Sequence, residues 1–250
     1  MRLTVIGCSG SFPRPDSPAS CYLVEADGFA MLLDLGSGSV GTLQRHHPFL
    51  DIDAICVSHL HPDHCLDLCV YWIARTFAPH GKQPVIPVYG PAGTAEHLAG
   101  AYGLDPEPGM RETFDFHTLR PATFTIGPFT VTTAQMNHPV ETFGFRIEHE
   151  GRTIAYSGDT AESSALIELA RDADLFLCEA AWIERPDLPL AAQHLTARQA
   201  AEHAAKADAG TLVLTHLLPW NDPALSLSEA KDSSFRGRIE LAQPGAVYEI

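Results

Sequence analysis

The sequence contains no Cys-x-x-Cys pair and no regular cysteine framework. Its six cysteines, Cys8, Cys21, Cys56, Cys65, Cys69 and Cys178, are scattered along 250 residues. That excludes a small disulfide-stapled scaffold and fits the reduced thiols of a cytoplasmic protein. Long apolar runs are also missing: none reaches the about 18 residues that span a bilayer, so no membrane partner is expected. The stretch Met1–Gly10 superficially resembles a lipoprotein cleavage site ending at Cys8. Only seven residues precede that cysteine, too few for a charged region followed by an apolar one, so a first strand is expected instead. Basic residues are scarce: 16 Lys and Arg face 31 Asp and Glu, a formal charge of −15, and no Lys/Arg-rich stripe occurs. Such a surface repels phosphate backbones and disfavours long nucleic acid relative to a small substrate. Bound divalent cations would offset about four of those charges locally. There is no internal repeat and no low-complexity linker.

What is present is apolar material spread evenly. Hydrophobic residues make up 45% and charged residues 19%, enough for a sizeable core, and one domain over residues 1–250 is expected. Short apolar runs divided by turn residues predict strands at Leu3–Ile6, Cys21–Ala26, Ala30–Leu33, Ala54–Val57 and Val85–Tyr89. Helices are predicted over Leu66–Ala78 and from Pro91 to about Tyr102. A second batch of strands follows at Thr123–Ile126, Phe129–Met136, Thr142–Glu148 and Thr153–Tyr156, with Glu150-Gly151 as a tight turn. Then come a helix at Ser163–Arg171, a strand at Leu175–Cys178, a helix capped by Thr196 and running to Ala207, and a strand at Thr211–Leu214. Strands near Arg238–Leu241 and Val247–Ile250 close the chain. Two batches of strands, each followed by helices, predict an α/β fold of two facing sheets covered by helices, an αββα sandwich. A doubly wound sheet fits the pattern nearly as well.

The chemistry concentrates in His59-Leu60-His61-Pro62-Asp63-His64, directly after the Ala54–Val57 strand. Imidazole and carboxylate suit zinc, and also iron or manganese. His59 and His61 point the same way at period two, while Asp63 and His64 can turn toward a neighbouring position, so one short loop could serve two adjacent metals. Three further candidates sit just after strands: His138, Asp159 and His216. Alone each reads as a cap or turn residue. Together with the loop they make seven possible ligands, and Asp159, with two oxygens to share, is the natural bridge.

This ordered set resembles the metallo-β-lactamase-fold hydrolases, which carry an HxHxDH loop followed by a separate His, an Asp and a final His. The resemblance spans about Leu3 to His216. It implies the four-layer αββα fold, with one cation held by His59, His61 and His138, another by Asp63, His64 and His216, and Asp159 between. Three features narrow it: Gly7-Cys8-Ser9-Gly10-Ser11, Asp159 within Ser-Gly-Asp-Thr, and Cys178-Glu179-Ala180 followed by His194-Leu195-Thr196-Ala197. These are similar to the ribonuclease Z-like branch, where an acidic residue and a histidine at these places form a dyad near the leaving group. The resemblance thus implies that Glu179 orients His194 and that His194 donates a proton. From the residues alone, this pair is ambiguous. One departure stands out. Ribonuclease Z proper carries a protruding arm that grips transfer RNA, commonly inserted between the equivalents of His138 and Asp159. Here twenty residues, Pro139 to Gly158, fill that gap with a hairpin.

Two cations sharing a water would lower its pKa toward neutrality and present it to an ester bond, with Asp63 orienting it and taking its proton. The missing arm and acidic surface point to a small phosphodiester, and the resemblance, whose armless relatives include cyclic-nucleotide phosphodiesterases, implies 3′,5′-cyclic AMP as the leading candidate. Action on RNA ends, or on a thioester, lactone or β-lactam, is the alternative. The resemblance also implies a homodimer. Ser9, Ser11 and Phe12 lie in a loop expected on the metal face. Trp182 and Trp220 are expected near the mouth, as substrate contacts or as a structural lid. Tyr71, Trp72 and Phe77 fit core or dimer packing better than base stacking.

Overall fold

In a computed structural model, residues 1–79, 81, 83–184 and 193–250 are described. The first batch of apolar runs forms strands β1 (Arg2–Gly7), β2 (Cys21–Ala26) and β3 (Phe29–Leu33). A short helix α1 (Ser39–Leu43) leads to β4 (Ala54–Cys56), α2 (Pro62–Cys65), α3 (Asp67–Thr76), β5 (Ile86–Gly90), α4 (Thr94–Tyr102) and β6 (Phe114–Thr118). The second batch is β7 (Ala122–Ile126), β8 (Phe129–Gln135), β9 (Phe143–His149) and β10 (Arg152–Tyr156). It continues through α5 (Ser164–Leu169), β11 (Leu175–Glu179), α6 (Ala197–Lys206), β12 (Thr211–Thr215), α7 (Pro223–Lys231), β13 (Arg238–Leu241) and β14 (Val247–Glu249). None of the described helices is long and apolar enough to cross a membrane.

Two seven-stranded sheets result, ordered β14-β1-β2-β3-β4-β5-β6 and β13-β12-β11-β10-β9-β8-β7. Each is antiparallel at its beginning and parallel where helices intervene. The period-two pattern explains the layering. Val5, Val24, Met31 and Leu33 from the first sheet meet Phe129, Val131, Phe145, Ile147 and Leu177 from the second. The alternate residues face outward: Ile6, Leu23, Leu32 and Ile55 against Leu43, Leu68 and Leu98 of the first helices, and Phe176 and Leu212 against Leu166, Ala200 and Ala204 of the later ones. The arrangement is the four-layer αββα sandwich.

Three local expectations change. The predicted helix Leu66–Ala78 is present as α3, and an unexpected short helix, α2, precedes it across Leu66. The Asp67 carboxylate accepts from Val40 N at 2.9 Å and its own N–H donates to Leu35 O, which pins the chain where the metal loop would otherwise run straight on. Helix α4 starts at Thr94 rather than Pro91, because Gly93 adopts φ 81° and the Thr94 hydroxyl donates to Pro91 O, making Pro91 part of the preceding turn. Strand β6 and helices α1 and α7 add to the expected elements. The Thr196 cap is present as a full capping box with Gln199.

Candidate metal centre

The strand ends of both sheets converge on one pocket of imidazoles and carboxylates. His59 and His61 leave β4; Asp63 and His64 ride on α2, whose first residue Pro62 fixes a helical φ. The second sheet sends His138 from beyond β8, Asp159 from beyond β10 and His216 from beyond β12. All seven candidate ligands are brought together, in the groups His59–His61–His138–Asp159 and Asp63–His64–His216. In the first, His59 Nε2 is 3.0 Å from His61 Nδ1, His61 Nδ1 is 3.3 Å from His138 Nε2 and His59 Nε2 is 3.5 Å from Asp159 Oδ2. In the second, Asp63 Oδ2 lies 3.4 Å from His64 Nε2 and 3.1 Å from His216 Nε2. Asp159 faces both, with Oδ1 3.3 Å from His64 Nε2 and Oδ2 3.5 Å from His216 Nε2.

These spacings fit cations. Ligand bonds of about 2.0–2.1 Å in a tetrahedral site place donor atoms about 3.3 Å apart, in the middle of the 3.0–3.5 Å range of the contacts above. His64 Nε2 and Asp159 Oδ1 are buried without any hydrogen-bond partner, as atoms reserved for an ion would be. Charge tells the same story. Burial, and for His59 the neighbouring His64, hold His59, His61 and His138 below the ordinary imidazole range, in the neutral form that ligates. Burial opposes the charged form at His64 too, yet the carboxylates of Asp159, Asp63 and Asp34 raise its pKa well above the ordinary value. Burial likewise opposes ionisation of Asp159 and Asp63, but the surrounding imidazoles hold both carboxyls below their usual range. A divalent ion is the species that balances such a group.

Outer contacts fix the rings. His64 Nδ1 is 2.8 Å from Asp34 Oδ2, and that carboxylate also accepts from Ser58 N, Ser58 Oγ and the Tyr156 hydroxyl. Ser58 Oγ is 3.0 Å from His59 Nδ1, and the Gln193 carbonyl is 2.9 Å from His138 Nδ1. Asp34 and Ser58 carry no ligand spacing of their own and sequence reading missed them; the available signal was an Asp at the end of an otherwise apolar strand. The Ser11 amide donates to Asp63 Oδ2 at 2.8 Å, so the first loop does reach this face. Asp34, Ser11 and His216 all take left-handed φ values, 58°, 60° and 55°. Strain of this kind clusters at functional sites. Gly10 and Gly36 are required by close approach: a Cβ would stand 2.4 Å from His216 O and 1.9 Å from Asp63 O.

The expected dyad is formed. His194 Nδ1 lies 2.9 Å from Glu179 Oε1. The buried Glu179 carboxylate is held by the amides of Thr160, Ala181 and Leu195. Burial favours a neutral His194, but the charge and hydrogen bond of Glu179, with Asp159, outweigh it and lift the pKa to about 9. His194 stands 3.9 Å from Asp159 Oδ2 and stacks on His216. Of the aromatic candidates, Trp182 packs edge-on against His194, and Trp220 pairs with Phe12. Tyr71 is buried and donates its hydroxyl to Phe49 O, whereas Phe77 lies on the outer surface.

Comparison with known sequences decides the family. The profile of the Beta-lactamase superfamily domain matches residues 31–217. The chain belongs to that superfamily. A Mycobacterium tuberculosis protein, Rv1339, is 38% identical over 256 residues, covering all of this chain and 92% of its own length. YhfI of Bacillus subtilis, named a probable metallo-hydrolase, is 31% identical over the full length of both chains. Its crystal structure superposes with a TM-score of 0.88 at 29% identity, covering 99% of each chain. Ribonuclease Z of Mycobacterium bovis is 31% identical, covering 96% of this chain and 95% of its own. The superfamily member described here is a metal-dependent hydrolase of the ribonuclease Z-like branch. Between His138 and Asp159 it carries only the β9–β10 hairpin.

Proposed function

We propose that this hydrolase is a phosphodiesterase for small phosphodiesters, with 3′,5′-cyclic AMP as the leading substrate. Residues 1–250 act as one unit with a dinuclear centre. His59, His61 and His138 would hold one ion, Asp63, His64 and His216 the other, and Asp159 would bridge them. Zinc suits this donor set best, with manganese or iron as substitutes. The observation that carries the reading is the Glu179–His194 pair, 2.9 Å apart, beside the cluster. Such a pair supplies the proton that the poor alkoxide leaving group of a phosphodiester requires.

Bound divalent ions would supply Lewis-acid activation of water and neutralise charge on the phosphoryl oxygens. Asp63, held by the Ser11 amide, orients the attacking water and accepts its proton. As water adds to phosphorus, the P–O3′ bond breaks and His194 Nε2 donates a proton to the departing O3′. Glu179 occupies Nδ1, which fixes the tautomer and aims Nε2 at the leaving group. Water is consumed and 5′-AMP released. The short β9–β10 hairpin and the −15 charge support a small substrate over transfer RNA. A second reading, cleavage of RNA ends, is favoured by the likeness to ribonuclease Z.

The test is chromatographic release of 5′-AMP from 3′,5′-cyclic AMP by the metal-loaded protein, with Asp159→Ala alongside. Turnover by the wild type alone supports the reading. No turnover, with cleavage of short RNA instead, transfers the assignment to the second. We extend the proposal to a cytoplasmic homodimer. Leu66, Val70, Ile73 and Phe77 are all exposed, and their spacing places them on one face of α3, a stripe suited to a second copy. Sedimentation of the wild type as a monomer at micromolar concentration would remove that extension.

A further inference from the structure

Two aromatic rings sit on loops that are tied to the centre, and neither the metal cluster nor the dyad uses them. Phe12 and Trp220 pair at 5.0 Å between ring centroids, tilted by 47°. Phe12 remains 39% exposed and Trp220 67% exposed. Their outer faces are therefore open to a further ring. Both sit on braced backbone. Ser9 Oγ donates to Phe12 O at 2.6 Å, and Arg14 and Ser17 exchange backbone hydrogen bonds just beyond it. The Trp220 segment is held by Asn221, whose side chain donates to Ala181 O and whose amide donates to Leu218 O. The two loops are joined to each other through Gly10 N and Leu217 O at 3.0 Å. They are also joined to the centre: Ser11, which precedes Phe12, donates to Asp63, and Leu217 follows His216.

Between these loops lies a cleft of about 780 Å³, bordered by Phe12, Arg14, Asp16, Pro219, Asn221 and Gln243. That falls within the about 300–1,000 Å³ typical of small-molecule sites. Arg14 is the only cation among its lining residues. It is paired with Asp16 at 2.9 Å, which sets a donor and an acceptor side by side on the wall.

We propose that Phe12 and Trp220 form a stacking platform for the nucleobase of a nucleotide substrate, with Arg14 and Asp16 facing the edge of the base or its ribose. This rests on the phosphodiesterase reading and specifies its substrate class: a nucleoside phosphodiester rather than a base-free one. The exposed ring faces supply stacking that tolerates any base, and the same loops reach the cluster through Ser11 and Leu217.

The experiment titrates the full-length, metal-loaded protein with adenosine 5′-monophosphate and, separately, with ribose 5-phosphate, following tryptophan fluorescence. The nucleotide should change the emission and the sugar phosphate should not. Trp220→Leu should abolish the change while retaining metal content and circular dichroism. Phe12→Leu should weaken nucleotide affinity about tenfold, equivalent to about 1.4 kcal/mol. Should the nucleotide bind this way without any hydrolysis of cyclic AMP, the platform stands and the reaction assignment falls. If cyclic AMP is hydrolysed with unchanged KM by both variants, or both ligands act alike on the emission, the platform is wrong.

Discussion

His64 Nδ1 and the Asp34 carboxylate are 2.8 Å apart and fully buried. The contact fixes which ring nitrogen carries hydrogen, leaving Nε2 to face the cluster. Three further donors, from Ser58 and Tyr156, hold the carboxylate in place. Asp34→Ala should therefore reduce metal affinity by about 10–100-fold, the range seen when such outer partners are lost. Competition with a chromophoric chelator measures it; an unchanged affinity would make Asp34 a purely structural residue.

His194→Ala should keep its full metal content and lose about 10²–10⁴-fold in kcat, as expected when a positioned proton donor is removed. Metal analysis together with steady-state kinetics separates this from Asp159→Ala, which should lose metal and activity together. Full turnover by the His194 variant would end its assignment as donor.

The two tight glycines give a stability prediction with an internal control. Gly36→Ala and Gly10→Ala set a methyl group against backbone carbonyls at 1.9 and 2.4 Å, so loops carrying Asp63 and His216 must move. Both variants should melt at lower temperature and bind less metal. Gly41→Ala, on α1 with no atom within 4 Å of the added carbon, should be neutral or stabilising by up to about 1 kcal/mol. Thermal melts of all three decide it.

All six cysteines are free and buried. Burial pushes the thiols of Cys8, Cys21, Cys56, Cys65, Cys69 and Cys178 upward, Cys65 to about 12. A bulky thiol reagent at pH 8 should titrate almost none in the native protein and all six after denaturation. Rapid native reaction would mean that local opening exposes them.

The ligand set was legible because its chemistry is local. Four donors in six residues, followed by single residues at strand ends, need no long-range information to be noticed. Asp34 was missed for the opposite reason: its partners Ser58, His64 and Tyr156 lie 24, 30 and 122 positions away. The same logic covers the elements. Strand β2 was read to its last residue from a short apolar run ended by turn residues. Helix α2 was not, because the break at Leu66 that sets it off from α3 is held by contacts to Val40 and Leu35. Helix α7 was missed although Asp222 caps it and Pro223 opens it, because its apolar residues do not gather on one side. Strand β6, largely exposed at the edge of its sheet, offers only two apolar residues, Phe114 and Phe116.

The two sheets draw on different halves of the chain: apart from β14, the first comes from residues 2–118 and the second from 122–241. On the proposed ligand set, one ion takes His59 and His61 from the first and His138 from the second, while the other takes Asp63 and His64 from the first and His216 from the second. Asp159, which spans both ions, also comes from the second. Metal would thus act as a rivet driven through the sandwich at its open end, where strand pairing stops and hydrogen bonds such as Tyr156–Asp34 and Phe143–Ser58 are what join the layers. Loading would lock the gap between the sheets at the width that the reaction needs, so the cell's metal supply would set the protein's stiffness as well as its activity.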